Sequence, residues 1–130
     1  MIVVDASALL EVLLRTPAAK SVETRLFAPN QTLHAPHLLD VEVAQVIRRY
    51  AANGDINGER GRAAVADLAD LPLQRYPHVL FLPRIWGLRH SLTAYDAAYV
   101  ALAEALDAVL LTRDRKLASG AGHHARIELV

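Results

Sequence analysis

Short apolar runs alternate along this chain with longer stretches of helical period, and that alternation limits the fold more than any other feature. Ile2 to Val4, Thr32 to Ala35, Leu73 to Tyr76 and Ile127 to Val130 read as short strands, and Ala108 to Leu111 is a continuous apolar run of the kind buried in parallel sheets. Between them, apolar residues return every three or four positions. Leu9, Leu10, Leu13 and Leu14 mark a helix over Ala6 to Leu14, and Val22, Leu26 and Phe27 mark a second that opens at Thr16 and Pro17 and stops at Pro29. Leu39, Val43, Val46, Ile47 and Tyr50 define the clearest helix, Leu38 to Asn53, with Gly54 where a helix end favours glycine. Glu59 to Leu71, His78 to His90 and Ala94 to Leu106 complete the set, Pro83 bending the middle one or marking its first turn. Strands alternating with helices predict an α/β fold of three layers, a short, mostly parallel sheet flanked by helices.

The chain of 130 residues has the length of one domain, residues 1–130, with a single core. Apolar residues make up 53% and aromatics only 5%, so that core must be built from Leu, Val, Ile and Ala. Lys plus Arg equals Asp plus Glu at 14 each, which removes the broad basic field of a protein that binds nucleic acid by charge alone. Any such contact must be local. The absence of cysteine excludes disulfides, thiolate metal sites and cysteine nucleophiles. Met1-Ile2-Val3-Val4-Asp5 shows no basic n-region and too short an apolar run for a signal segment, and no stretch approaches the roughly 20 apolar residues of a membrane span, so a cytoplasmic protein away from the membrane is expected.

In an open α/β sheet, ligands sit beyond the carboxyl ends of the strands, and two acids stand there: Asp5 after the first strand and Asp114 after Leu110-Leu111-Thr112-Arg113. Ser7 and Thr112 lie beside them and can offer hydroxyls. A structural alternative exists for Asp5, as the N-cap of the next helix. Asp96, three residues after Thr93, also fits a helix-capping arrangement. Glu42 lies at the edge of the apolar stripe of its helix, where a carboxylate is partly desolvated unless a metal, Arg49 or a snorkelling side chain neutralises it. Asp40 points to the opposite flank, toward solvent. His34 and His37 lack helical ligand spacing, and His123 and His124 read as a solvated loop. Arg113, Arg115 and Lys116 surround Asp114 and can meet phosphate, although a solvated face is the ordinary reading of such a run.

Taken in order, Val4-Asp5-Ala6-Ser7-Ala8-Leu9, Pro36 with Glu42-Val43-Ala44, Thr93 to Ala103 with Asp96 in its first turn, and Leu111-Thr112-Arg113-Asp114-Arg115-Lys116-Leu117 resemble the successive motifs of PIN-domain proteins. In size the chain is most similar to the toxin of VapBC toxin–antitoxin pairs. That resemblance implies a metal-dependent endoribonuclease with Asp5, Glu42, Asp96 and Asp114 as its acidic quartet and Ser7 and Thr112 as supporting hydroxyls. Hard oxygen ligands of this kind select Mg2+ or Mn2+. The family also implies an RNA substrate, a small antitoxin protein as partner and a homodimer. Many relatives carry Asn three residues after the glutamate, where this chain has Gln45. Leu9, Leu13, Leu14, Val22, Leu26 and Phe27 offer either plain core or a groove for a partner helix. Two rivals remain: a non-catalytic RNA- or protein-binding module, and aspartyl-phosphate chemistry, which needs a second Asp where this chain has Ser7.

Overall fold

The computed structural model describes every residue from Met1 to Val130. Strands β1 (Ile2–Val4), β2 (Leu33–Pro36), β3 (Leu73–Tyr76), β4 (Val109–Thr112) and β5 (Ile127–Leu129) form one sheet in the order β3-β2-β1-β4-β5, with every neighbouring pair parallel. Helices α1 (Ala6–Leu13) and α2 (Ala19–Leu26) join β1 to β2, and α3 (Leu38–Ala52) and α4 (Gly58–Asp70) join β2 to β3. A 3-10 turn (Val79–Phe81), α5 (Leu82–Gly87) and α6 (Ala94–Leu106) return the chain to β4, and α7 (Arg115–Ser119) leads to β5. The chain thus walks outward from β1 to β3, then comes back past β1 to β4 and β5. Right-handed crossovers taken in opposite directions put α1 to α4 on one face and α5 to α7 on the other, which is the expected three-layer α/β/α arrangement. The reversal also opens a crevice at the carboxyl ends of β1 and β4, the usual ligand position in such sheets.

Burial follows from this order. β1 and β2 are wholly buried and β4 nearly so, whereas the edge strands β3 and β5 are only partly covered. In α6 every residue from Ala97 to Ala103 is buried, because the helix lies on β1, β2 and β4 and is itself covered by α5. Its alanines permit that close approach. No helix is long and apolar enough to cross a membrane.

Several expectations change. Leu9, Leu13, Val22 and Leu26 are core residues, exposed by 4% or less, so the groove reading fails and of the six only Phe27 is substantially exposed, at 49%. The second helix begins at Ala19, not at Thr16 and Pro17, because the Thr16 hydroxyl is engaged by the Glu11 carboxylate. The expected helix over His78 to His90 is a 3-10 turn followed by only six α-helical residues, with Pro83 in the first turn, where its missing N–H is not needed. Asp40 is not simply solvent-facing: it accepts a 2.7 Å hydrogen bond from Arg75 Nε of β3. The His123–His124 loop is pinned, since Glu104 binds both Arg84 and His124.

Candidate functional site

The site begins with the register of β1 on β4. Val4 pairs with Leu111, and Asp5 N–H donates to the Leu111 carbonyl at 3.0 Å, which sets Asp5 beside Thr112. Asp5 has the extended backbone of an N-cap, but its side chain caps nothing. Instead its Oδ2 accepts from Ser7 Oγ at 2.6 Å and Thr112 Oγ1 at 2.8 Å. The two hydroxyls lie 3.2 Å apart, Ser7 Oγ accepts from Arg113 N–H and Thr112 Oγ1 accepts from Asp114 N–H, each at 2.9 Å. Ser7 and Thr112 therefore lock the turn after β1 to the turn after β4. Asp114 is itself a helix cap: its Oδ1 accepts from Lys116 N–H and starts α7, an element the apolar period did not reveal.

Glu42 and Asp96 enter from the helices. Thr93 caps α6 by accepting from Asp96 N–H at 3.1 Å, which places Asp96 in the first turn, where the Thr93 side chain is the one protein group that holds its carboxylate down. Glu42 Oε1 accepts a 2.5 Å hydrogen bond from the hydroxyl of Tyr99, a fully buried residue one turn further along α6. Sequence reasoning missed Tyr99, because an aromatic on an apolar helix reads as core filler. Its phenol is driven up by burial and by Glu42, so it stays a donor at any ordinary pH.

The electrostatics show that the four acids share one field. Burial pushes Asp96 up to about 6, with further upward pressure from Asp5 and Asp114. Glu42 is raised chiefly by burial, against the opposing Tyr99 hydrogen bond, and then by Asp5 and Asp96. None of the four has an ion-pair partner. Arg49 lines the same recess as Glu42 without pairing to it, so the neutralising role considered for it is absent. Each carboxylate keeps at least one oxygen that accepts nothing from the protein: Asp5 Oδ1, Glu42 Oε2, Asp114 Oδ2 and one of Asp96. A set of hard, unpaired oxygens around shared negative charge fits a small divalent cation. As they stand, no three of the side chains are drawn together tightly enough to hold an ion.

The remaining side chains separate by role. Arg113 is engaged, its guanidinium donating to the Val130 carbonyl at 2.8 Å and lying 3.5 Å from Glu11, whereas Arg115 and Lys116 are exposed with unpaired side chains. Gln45 is exposed in the recess with Glu42. His34 is buried between Thr32 and Tyr76, and desolvation holds it neutral as a core residue.

A family model for the PIN domain matches residues 2–122. The chain is 45% identical over 130 residues to ribonuclease VapC12 of Mycobacterium tuberculosis, covering all of this chain and 99% of that one. It is 43% identical over 132 residues to ribonuclease VapC1 of the same species, covering 98% and 96%. The fold is similar to that of VapBC2 from Rickettsia felis bound to a promoter DNA fragment (TM-score 0.73, 14% identity, 99% and 98% covered). It is also similar to that of Mycobacterium tuberculosis VapC20, a sarcin–ricin loop cleaving toxin (TM-score 0.71, 16% identity, 95% and 97% covered). With its quartet of acids at the β1–β4 crevice and relatives matched over nearly its whole length, this chain belongs to the PIN domain family, among the VapC ribonucleases.

Proposed function

We propose that the protein is a magnesium- or manganese-dependent endoribonuclease, the toxin of a toxin–antitoxin pair, acting on RNA in the cytoplasm. The observation that carries this reading is the unpaired quartet: Asp5, Glu42, Asp96 and Asp114 share one field, and the fold supplies no cation to balance it. Relatives named ribonuclease VapC support RNA as the substrate. The toxin–antitoxin assembly named in the Rickettsia felis structure supports a small antitoxin as partner. The active form is a homodimer.

A bound divalent cation at such a site lowers the pKa of water and offsets charge on a phosphodiester. The chain's own groups do the rest. Ser7 and Thr112 occupy Asp5 Oδ2 and fix the carboxylate, so that Oδ1 would be free to hold the cation. Asp96 and Asp114 would supply the other principal ligand oxygens. Tyr99 holds Glu42 Oε1, so that Oε2 orients the attacking water or completes the ligand set. Arg115 and Lys116, beside Asp114, hold the RNA backbone on the far side of the scissile phosphate.

The test is cleavage of labelled RNA by the purified protein with magnesium, with manganese and with a chelator. Metal-dependent cuts within the RNA are the expected outcome, and RNA binding without any cutting overturns the enzyme reading. Co-expression with a candidate antitoxin should restore growth and yield a stable complex.

A further inference from the structure

Tyr95 directly precedes Asp96, yet 65% of it is exposed and its hydroxyl has no partner. On one side it walls a recess of about 230 Å³ lined by Leu38, Leu82, Ile85, Ala98 and the imidazole of His78. On its other side it borders a second recess, of about 390 Å³, that contains Glu42, Gln45 and the unpaired guanidinium of Arg49. Tyr95 therefore lines both an apolar recess and the recess that holds Glu42, one of the four acids.

We propose that the apolar recess is a nucleobase subsite, in which a base next to the scissile phosphate stacks on Tyr95 while Arg49 meets a backbone phosphate beyond it. The inference rests on the RNA-cleavage reading and adds how the substrate is seated. Tyr95 adjoins Asp96 in sequence and shares a recess with Glu42, which sets it beside a strand whose phosphate lies over the acids. The recess is a small open hollow lined by a few side chains, which suits one flat ring system better than the long groove a partner helix requires. An aromatic face takes any base, since stacking is tolerant of sequence. His78 is the one polar side chain in the lining and can bond to a base edge.

The test uses a fluorescently labelled single-stranded RNA of mixed sequence and an abasic ribose-phosphate chain of equal length, each titrated against the protein by anisotropy, with cleavage of total bacterial RNA mapped in parallel. Wild type should prefer the base-bearing strand, and Tyr95→Ala should weaken its binding about 5- to 100-fold while leaving the abasic chain unaffected. Tyr95→Phe and Tyr95→Trp should restore the preference. Because Tyr95 is exposed, all three variants should melt as wild type does. Base preference that depends on Tyr95 without any cleavage sustains the subsite and refutes the nuclease reading. Normal cleavage by Tyr95→Ala, with unchanged cut sites and rate, refutes the subsite and spares the nuclease. Loss of antitoxin binding alone would mark the recess as a protein-docking surface and also overturn the inference.

Discussion

Replacing Asp96 by Asn separates a metal-site carboxylate from a helix-capping one by the sign of a stability change. Asp96 is pushed from 3.8 to about 6. Such a displacement corresponds to about 3 kcal/mol, and screening of a half-buried group reduces it to about 1 to 2 kcal/mol. An acid raised on folding leaves the native state holding more protons than the unfolded chain between the two values. Stability then falls as the pH rises from about 4 to about 6, and the whole penalty persists above that. Asn carries no such penalty. Metal-free Asp96→Asn protein should thus melt roughly 3 to 10 °C above wild type at pH 7 and level with it below pH 4. A purely capping Asp in the first turn predicts the reverse, a loss of about 0.3 to 1 kcal/mol from the helix dipole. Magnesium should invert the order, stabilising wild type by about 2.7 kcal/mol at a hundredfold excess over its Kd and the variant by less. Cleavage should fall at least about 100-fold, the upper range for disturbing even an outer partner of a ligand. Thermal melts across pH, with and without magnesium and beside a cleavage assay, measure every term. Equal melting at pH 7 together with wild-type cleavage by the variant would refute the reasoning.

Other substitutions test the supports. Tyr99→Phe removes the donor that holds Glu42 down, so Glu42 should titrate higher and the acid limb of the pH–rate profile should move to higher pH, with kcat falling more than KM changes. Thr112→Val deprives Asp5 of a donor and Asp114 N–H of its acceptor, which should cost about 1 to 3 kcal/mol in denaturant melts and lower kcat/KM at least about tenfold. Leu111→Ala, in the centre of the sheet, should cost about 2 to 5 kcal/mol by the same melts, more than any of the site variants.

The strands and long helices were legible because each carries its own period, and Asp5 and Asp114 because a polar residue after a buried strand is conspicuous. What the sequence left open was what each surface faces. Leu9, Leu13, Val22 and Leu26 announce burial equally well against the rest of the fold or a partner, and only the packing of α1 on β4 and of α2 on α1 decides it. α7 has five residues and one buried side chain, Leu117, too little for a period to register. The Tyr99–Glu42 bond joins residues 57 apart on different helices, and no local pattern encodes it. Asp5 showed the reverse difficulty: its N-cap position invited a local role, but the register of β1 on β4 gave its oxygen to Ser7 and Thr112 instead.

The turn at Gly54, whose φ of 79° suits glycine, divides the chain into two halves that cannot be sorted into separate bodies. The first half contributes β1 and β2 to the middle of the sheet, and the second clasps them from both sides with β3 on one edge and β4 and β5 on the other. The acids divide in the same way, Asp5 and Glu42 before the turn and Asp96 and Asp114 after it. Neither half can build a partial crevice, because each pair of acids needs the other half's strands to bring it into place. A chain made from the N-terminus therefore holds no assembled quartet until β4 has emerged and slotted in beside β1. For a protein that cuts RNA, made by a machine built of RNA, this interleaving delays the activity until synthesis is nearly complete.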